Sequence, residues 1–323
     1  MSPDLRPISV VVPCRNASGW LDQALASVVD AAQREPAVEV VVVDNGSTDG
    51  TAEEVERRWG SQVTLLRAPR RTVGALRNLG AAHGGGTILS FVDADCAIAP
   101  GYFGIVRELL AETGAAAVGC YYELPPVPTA LERAWDRLHA PAADGPATMI
   151  NAGNLAVTRP AFEAVGGFDE VLPTGEDAEL CARLRGQGFQ VWQDRRMRAR
   201  HLGNPTSLGR FFAKEYWHAL GMFGTVRGGS LDRPFLMTLL HAALLLTAIL
   251  QLLRGQPGWL ALVLVAPALA VAYRGMTLQR RPPVGWGLVL YFAYFTARVA
   301  ALPQALAIGW RWRQAASRPP RFP

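Results

Sequence analysis

Three short runs of β-branched and aliphatic residues constrain the fold of this chain more than any other feature. Turn-forming residues bound each run, and the runs occupy residues 8–13, 38–43 and 87–92. Near-continuous apolar runs of this kind are typical of strands buried on both faces of a parallel sheet. Helical patterns lie between them, at residues 20–34, 48–59 and 73–83. The alternation predicts an α/β domain with a doubly wound sheet.

The pattern becomes looser after residue 100 but stays mixed. It predicts helices over residues 130–139 and 177–187, and a loop over residues 140–148 after the first of them. It also predicts three further strands, at residues 115–122, 152–157 and 189–193. The four cysteines are far apart, so we expect them to be reduced and structural.

The chain from Phe235 to Pro323 contains nine Arg and no Asp or Glu. Three apolar segments lie in it, at residues 235–253, 258–273 and 284–309. A helix needs about 20 apolar residues to cross the hydrocarbon core, so the first segment is long enough. The second is short and contains Pro267, and Arg298 and Pro303 interrupt the third. Apolar runs flanked by Arg favour membrane insertion over a soluble helical bundle.

Positive charges around these segments suggest their orientation. Arg274, Arg280 and Arg281 follow the second segment, so the positive-inside bias places that loop in the cytoplasm. A third crossing would place the arginines after residue 310 outside, against the same bias, so the number of crossings stays open. Arg298, within the third segment, is expected to have a lipid phosphate as its partner.

The first domain is expected on the cytoplasmic side of the inner membrane. Residues 1–7 lack the charged and apolar regions of a signal peptide. The basic residues of the chain flank apolar runs, whereas a nucleic-acid-binding protein concentrates them along a groove or a helix face. A nucleic-acid partner is therefore not expected.

Two carboxylates, Asp93 and Asp95, follow directly on the third β-branched run. Open α/β sheets bind ligands in the crevice at the carboxyl ends of their strands. Mg²⁺ or Mn²⁺ takes oxygen ligands and usually sits between one or two carboxylates and substrate phosphates. The pair therefore indicates a metal-bound nucleotide, although a solvated exit from the strand would use the same residue types.

Asp44 ends the second β-branched run and should point into the same crevice. There it could accept hydrogen bonds from a base or a ribose. A structural role is the alternative, because Ser47 or Thr48 could cap the helix that follows.

Seven motifs in order carry a resemblance to a known family, and they occupy residues 8–13, 43–51, 77–80, 91–95, 151–154, 166–169 and 175–180. In content and spacing they resemble the family 2 glycosyltransferases, over residues 8 to about 203. The resemblance implies the GT-A fold, a Rossmann-like α/β domain with a mostly parallel sheet, followed here by C-terminal transmembrane helices. We therefore expect a glycosyltransferase domain at 1–206, an amphipathic interfacial helix and linker at 207–232, and a membrane segment at 233–323.

The resemblance implies a site for a nucleotide-diphosphate sugar formed by six residues: Pro13, Arg15, Asp44, Arg77, Asp93 and Asp95. By their motifs, Asp44 would contact the base, Asp93 the ribose and Arg77 the base or the diphosphate. Asp95 would hold Mg²⁺ or Mn²⁺. A metal and an Arg together stabilise the charge of a leaving diphosphate. The alternative for Arg77 is a surface charge on a helix, but no acidic residue stands at 73 or 81 to pair with it.

On the acceptor side, the resemblance implies that Asp177 is the general base toward the acceptor hydroxyl. One base and one leaving group on opposite faces imply a single displacement with inversion. Glu176 and Asn154 are expected on the acceptor side. Acidic residues in a helical first turn are also favoured by the helix dipole, which is the structural alternative. His201 is a second candidate metal ligand, although a lone His is more often structural.

Arg210, Lys214 and His218 form a cationic stripe along the predicted helix before the first apolar segment. Such a helix could pack into a core or lie in the membrane interface, and its position next to the apolar segments favours the interface. Processive members of the family carry a Gln-x-x-Arg-Trp motif, which does not occur between Asp177 and the first apolar segment. The resemblance therefore implies transfer of one sugar at a time to a polyprenyl-linked or other lipid-linked acceptor.

Two other functions remain open at this stage. A catalytically silent membrane protein could bind nucleotide sugars without turning them over. A nucleotidyltransferase could use a similar sheet, but such enzymes usually have a Gly-rich loop after the first strand, where this chain has Pro13-Cys14-Arg15-Asn16.

Overall fold

The computed structural model describes residues 6–141, 143–223, 233–278 and 281–315. They form two units. The first contains residues up to 125 and residues 143–203, and the second contains residues 126–142 and 204–316. The expected boundary near residue 206 thus has a counterpart, but residues 126–142, which the sequence assigned to the first domain, group with the C-terminal unit.

A mixed sheet of eight strands, in the order β3-β2-β1-β4-β8-β6-β9-β7, forms the centre of the first unit. Strands β1 to β4 are mutually parallel, and β8 runs antiparallel to both β4 and β6. A second, small sheet pairs β5 with β10. The bounds are β1 (Ile8–Cys14), β2 (Val38–Asp44), β3 (Thr64–Arg67), β4 (Ile88–Val92), β5 (Cys96–Ile98), β6 (Ala117–Gly119), β7 (Gly145–Pro146), β8 (Asn154–Thr158), β9 (Val191–Gln193) and β10 (Ala199–His201).

Helices cover both faces of the large sheet. Val10 and Val11 are neighbours in β1 but point to opposite faces and belong to two separate apolar clusters. The first cluster includes Leu25 of α1 and Phe103 of α4, and the second includes Leu76 of α3. The bounds are α1 (Leu21–Arg34), α2 (Thr51–Trp59), α3 (Val73–His83), α4 (Tyr102–Thr113), α6 (Arg159–Ala164) and α7 (Glu176–Gly186). The predicted doubly wound α/β architecture is confirmed.

Several local predictions differ from the structure. Helix α2 begins at Thr51, three residues later than predicted, because Gly50 occupies the N-cap position with φ +86°. Ser47 and Thr48 therefore do not cap it. The sequence pattern did not reveal β3 or the β5–β10 pair, since these strands have only three or four residues. The predicted loop over 140–148 contains β7, which pairs with β9.

The second unit consists of helices. They are α5 (Ala130–His139), α8 (Leu208–Ala219), α9 (Arg233–Leu253), a 3₁₀ helix (Pro257–Leu264) that leads into α10 (Val265–Thr277), and α11 (Val284–Ala315). Among the described residues, three stretches are long and apolar enough to cross a membrane, namely Arg233–Leu253, Pro257–Thr277 and Val284–Gly309. The three apolar C-terminal segments expected from the sequence are thus helical.

Helix α8 is packed against neighbouring helices along one face. Phe211 is buried and contacts Trp135 of α5, with ring centroids 4.8 Å apart. Glu215 is also buried, and its carboxylate lies 3.3 Å from Nη2 of Arg298. The expected lipid phosphate partner of Arg298 is thus wrong, because a carboxylate of the protein occupies that place. Residues 224–232 of the predicted interfacial segment lie outside the described residues.

Candidate active site

The carboxyl ends of β1, β2 and β4 form one edge of the sheet, and the first functional candidate there is Asp44. Asp44 pairs in register with Cys14 and is buried. Its Oδ2 accepts a hydrogen bond of 3.1 Å from the backbone N–H of Ser47. The loop after β1 joins this turn, since Asn16 accepts a hydrogen bond of 2.9 Å from the N–H of Thr48. Asp44 therefore holds its own loop together and also stands at the predicted nucleotide edge.

Pro13 and Arg15 flank the end of β1 on either side of Cys14. Pro13 is buried within the strand, whereas Arg15 is exposed in the loop that follows. The Cys14 thiol is buried, and burial raises its pKa to about 12. Of these residues, only Arg15 offers an accessible charge to a bound nucleotide.

Arg77 connects the donor-side and acceptor-side motifs. Its Nη2 donates to Oδ1 of Asp93 at 2.6 Å, and its Nη1 donates to the carboxylate of Glu176. The Arg77 side chain is almost fully buried, and the Glu176 side chain is only 7% exposed, while that of Asp93 is 30% exposed. Arg77 thus lies behind the site and bridges two carboxylates. The alternative of a surface charge is wrong.

Burial and charge act in opposite directions on this bridge. Burial lowers the pKa of Arg77, but Asp93 and Glu176 outweigh it, so the pKa of Arg77 is raised and the guanidinium stays charged. Burial raises the pKa of Glu176, and Arg77 opposes that rise. The ion pair therefore keeps a buried carboxylate behind the reaction centre.

Asp95, Cys96 and His201 form a group of candidate metal ligands. The Asp95 Oδ2 lies 3.5 Å from Nε2 of His201, and one ligand atom from each of the three residues lies within 4.8 Å of the other two. Antiparallel pairing of β5 with β10 places His201 opposite Cys96. Burial raises the pKa of the Cys96 thiol well above its ordinary value, so the carboxylate and the imidazole are the better ligands. The carboxylate oxygen of Asp95 is the ligand type that Mg²⁺ and Mn²⁺ prefer, and the imidazole of His201 could add a nitrogen ligand beside it.

Two glycines allow the backbone to approach these carboxylates. A Cβ at Gly203 would meet Asp95, and a Cβ at Gly153 would overlap both Asp93 and the hydroxyl of Tyr122. The ring of Tyr122 also lies edge-on to His201, with centroids 5.1 Å apart. Tyr122 stands outside every recognised motif, so the sequence pattern did not reveal it. The Gly in Asn151-Ala152-Gly153-Asn154 was the available signal for close approach.

Asp177 lies in the first turn of α7, one residue after Glu176, and is half-buried. Its Oδ2 accepts a hydrogen bond of 3.3 Å from the backbone N–H of Ala152. The next residue, Gly153, lies against Asp93. The turn before β8 therefore touches the predicted base on one side and the predicted donor carboxylate on the other.

Asn154 has a structural place. It is fully buried, its Oδ1 accepts from the hydroxyl of Tyr102 at 2.7 Å, and its Nδ2 donates to the carbonyls of Cys120 and Met197. These bonds use both amide N–H donors and one acceptor position of Oδ1, so Asn154 anchors the turn before β8. Its expected place on the acceptor side stays a prediction.

The rest of the Arg77 motif also packs inside the unit. Asn78 exchanges two hydrogen bonds of 2.9 Å with the backbone of Phe168 and so ties α3 to the Gly-Gly-Phe-Asp motif. A Cβ at Gly80 would overlap Val11 of β1, which explains the glycine. Motif residues in this chain therefore divide into those that face the sheet edge and those that hold the edge in shape.

Comparison with known proteins agrees with this arrangement. The profile of the family Glycosyl transferase family 2 matches residues 9–157. Glycosyltransferase AglE of Haloferax volcanii is 28% identical over 199 residues, which are 59% of this chain and 65% of that protein. The succinoglycan biosynthesis protein ExoA of Rhizobium meliloti is 29% identical over 197 residues, 57% of this chain and 59% of that protein. The chain thus spans less than two thirds of the length of either relative.

Solved structures share the fold. The mannosyltransferase PcManGT of Pyrobaculum calidifontis superposes with a TM-score of 0.60 at 19% identity, over 95% of this chain and 88% of that one. GalNAc-T7 superposes with a TM-score of 0.50 at 18% identity, over 68% of this chain and 52% of that one. The ordered motifs, the sheet and these similarities agree: residues 9–157 match the family 2 glycosyltransferases, and the chain has a GT-A fold followed by apolar helices.

Proposed function

We propose that this protein is an inverting glycosyltransferase. It would move one sugar at a time from a nucleotide-diphosphate sugar to a membrane-associated acceptor, polyprenyl-linked or otherwise lipid-linked. The observation that carries the proposal is the turn at residues 151–153, which contacts Asp177 through the N–H of Ala152 and Asp93 through Gly153. A base candidate and a donor carboxylate are thereby held on either side of one short backbone segment.

The donor would lie along the edge formed by β1, β2 and β4. Asp44 would accept from the base, Asp93 would bind the ribose, and Arg15 or Arg77 would contribute positive charge toward the base or the diphosphate. The buried bridge from Arg77 to Asp93 supports this, because it fixes the orientation of the carboxylate that would contact the ribose. PcManGT was solved with GDP-Man and Mn²⁺, and GalNAc-T7 with UDP, GalNAc and Mn²⁺, which supports a nucleotide-sugar donor and a divalent metal.

Asp95 and His201 would hold the metal ion. When bound, Mg²⁺ or Mn²⁺ would neutralise the negative charge that accumulates on the departing nucleoside diphosphate. The protein residues would do the rest: Asp93 would hold the donor in place, and Arg77 orients the Asp93 carboxylate through their 2.6 Å hydrogen bond. Such pre-organised charge is usually the largest contribution to catalysis.

Asp177 would take the proton from the acceptor hydroxyl. Backbone N–H groups fix its orientation, since Oδ2 accepts from Ala152 at 3.3 Å and Oδ1 from Ala178 at 2.7 Å, while the half-buried side chain is not enclosed. A hydroxyl that attacks the anomeric carbon must lose its proton as the new bond forms, and a positioned carboxylate can accept it. Because one base and one leaving group suffice, a single displacement would invert the anomeric configuration.

The apolar helices support a membrane acceptor. Three stretches long enough to span a bilayer belong to the same chain as the glycosyltransferase domain. The name of ExoA connects one relative with succinoglycan biosynthesis, which supports a role in polysaccharide or glycolipid synthesis. The inner membrane, with the catalytic domain on the cytoplasmic side, is the proposed location.

A donor panel tests the proposal. The full chain, purified in detergent, is given nucleotide sugars together with extracted membrane lipids, and released nucleoside diphosphate and glycosylated lipids are measured by mass analysis. We expect turnover with at least one donor, complete loss of turnover with EDTA, and recovery with Mg²⁺ or Mn²⁺. Asp95→Ala should abolish turnover at standard metal concentration, whereas Glu163→Gln, an exposed carboxylate on α6, should not change it.

The contrary outcomes identify other functions. Donor binding without turnover would indicate a silent binding protein, and release of pyrophosphate would indicate a nucleotidyltransferase. A sugar added only to a soluble acceptor would contradict the lipid-linked acceptor.

A further inference from the structure

The third apolar stretch, in α11, differs from the other two in its surroundings. Helix α8 packs along it, and both helices contribute to shared apolar clusters. Phe211, Glu215, Ala219 and Phe223 are spaced four residues apart, and they meet α11 at successive positions. Phe211 shares a cluster with Phe295, Glu215 pairs with Arg298, Ala219 packs with Ala301 and Ala305, and a Cβ on Gly309 would lie 3.3 Å from Phe223. The two helices therefore lie at the same depth.

Helix α8 is too polar for the middle of a bilayer. Its surface carries Arg210, which is exposed, and Lys214, which is half-buried. Leu208 and Trp217 are exposed on the same helix at 42% and 47%. Cations mixed with exposed aromatic and aliphatic side chains are typical of a helix at the lipid–water boundary. Because α11 shares the depth of α8, the same boundary applies to α11.

The hairpin of α9 and α10 provides an independent reference for depth. The guanidinium of Arg233, at the start of α9, lies 4.9 Å from the ring centre of Tyr273, near the end of α10. These two residues mark the open end of the hairpin. The turn near Gly255 marks the other end.

Helix α11 meets the open end of the hairpin at two separated places. Near its start, Tyr291 accepts a hydrogen bond of 3.3 Å from Nε of Arg274. Near residue 305, its cluster with Ala219 packs against Phe235, the third residue of α9. Residues 291 and 305 are about 21 Å apart along a helix. If α11 ran along the hairpin, residue 305 would lie about 21 Å nearer than residue 291 to the turn near Gly255.

The middle of α11 agrees with a transverse course. His241 of α9, about two turns from Arg233, lies 3.2 Å from Thr296 through Nε2. On α9, α11 contacts the first turns, and on the other arm of the hairpin its contacts extend from Arg274 back to the 3₁₀ helix before α10. These contacts fit a helix that passes obliquely across the open end. Arg298 and Glu215 would stand near the centre of the stretch Val284–Gly309 if that stretch crossed the membrane. Placing charged side chains near the centre of the bilayer has a high cost in free energy.

We propose that α11 lies in the membrane interface beside α8 and that only the hairpin formed by α9 and α10 crosses the bilayer. The exposed surface formed by α8 and α11 contacts the headgroup layer of the lipids. Arg210 and Lys214 supply charge complementary to lipid phosphates, and the adjoining hairpin brings this surface to the bilayer. The four arginines after residue 310 would then be on the same side as Arg281, as the positive-inside bias requires.

Cysteine accessibility tests this topology in the full chain. The four native cysteines are buried, so they give a low background. Arg254→Cys, Arg281→Cys and Gln314→Cys are made singly and treated in sealed membrane vesicles with a membrane-impermeant maleimide, before and after permeabilisation. We expect positions 281 and 314 to react from one side and position 254 from the other. Reaction of 314 from the side of 254 would overturn the proposal, and so would reaction of 254 from the side of 281.

A depth measurement provides a second test that needs no catalytic activity. Ala300 is exposed on α11, and Leu246 is 59% exposed near the middle of α9. Each is replaced by Cys and spin-labelled, and the depth in lipid bilayers is read from accessibility to oxygen and to a polar relaxation agent. We expect the label at 300 near the headgroups and the label at 246 near the midplane. Equal depth at both positions would show that α11 crosses.

Discussion

Glu176 and Asp177 are neighbours in the sequence but lie in different surroundings. The Glu176 side chain is buried and bound to Arg77, and burial raises its pKa. Asp177 is half-buried, and its two carboxylate oxygens accept from the backbone N–H groups of Ala152 and Ala178. A base must reach the acceptor proton, so accessibility favours Asp177 as the base and assigns Glu176 a positioning role.

Asp177→Asn should remove the base and leave the donor site intact. We expect kcat to fall by about 10²- to 10⁴-fold, the usual contribution of a general base, with little change in the donor KM. Release of nucleoside diphosphate at varied donor concentration measures both constants. Retention of more than a tenth of the parent kcat would contradict the assignment. Glu179→Gln, in the same helical turn but paired with Arg183, is the matched control.

Gly153→Ala should disturb the donor carboxylate by steric contact alone. The added Cβ would overlap Asp93 and the hydroxyl of Tyr122, which must then move. A displacement of about 1 Å at a reacting centre can cost roughly 10²-fold, and we expect kcat/KM to fall by that order. Gly186→Ala is the control, because a Cβ there meets open space. Thermal unfolding of both variants separates a local effect from misfolding, and an unchanged kcat/KM would refute the close approach.

At the scale of elements, ion pairs between distant helices shape the site. Arg77 on α3 and Glu176 on α7 are 99 residues apart in the sequence, and their pair brings the nucleotide-side and acceptor-side motifs together. Asn78 adds a second link from α3, to the backbone of Phe168. The geometry of the site therefore depends on how α3 and α7 pack against the sheet.

Glu176→Ala should destabilise the first unit strongly. Removing one of its two carboxylate partners leaves the buried guanidinium of Arg77 compensated only by the partly exposed Asp93, which should cost up to about 3–5 kcal/mol of unfolding free energy. Glu176→Gln should cost less, because the amide oxygen can still accept the hydrogen bond. Denaturant titration in detergent measures the difference. Asp30→Ala breaks the exposed pair with Arg34 and should cost less than about 1 kcal/mol, and equal effects at the two sites would contradict the buried bridge.

At the scale of the whole molecule, charge is divided unevenly. The chain carries a formal net charge of +5, and all charged residues from residue 235 onward are arginines. Within the second unit, His139 is half-buried and stacks on Trp135, with ring centroids 3.7 Å apart. Burial, assisted by the charge of Arg274, lowers the pKa of His139 to about 3. The folded unit thus holds this imidazole neutral.

Acidification should destabilise the second unit through His139. The unfolded chain binds a proton near pH 6.5, whereas the folded chain does so only near pH 3, so the stabilising contribution is complete above pH 6.5. This contribution is lost as the pH falls from 6.5 toward 3, by about 1.4 kcal/mol for each pH unit. Thermal unfolding between pH 7 and pH 4 should show a steeper decline for the parent than for His139→Phe. His83→Gln, at an exposed site, should follow the parent, and parallel curves for parent and His139→Phe would contradict the prediction.

The alternation of strands and helices was predictable because buried parallel strands require continuous apolar runs, and β1, β2 and β4 have them. Short strands such as β5 and β10 were not, since three residues carry no periodic signal. At the site, Asp44, Asp93, Asp95 and Asp177 stand in recognisable motifs. Tyr122 does not, because its position near Asp93 depends on packing.

The fold class, the carboxylates at the strand ends, the apolar C-terminal segment and the resemblance to the family could all be predicted, because each is encoded in local residue types and their order. What those residues contact became visible only in the folded structure. The structure paired Arg77 with Asp93 and Glu176, turned Asn154 inward, and matched Arg298 with Glu215. The physical reason is that a buried charge requires a partner, and partners far apart in the sequence become identifiable only when the chain is folded.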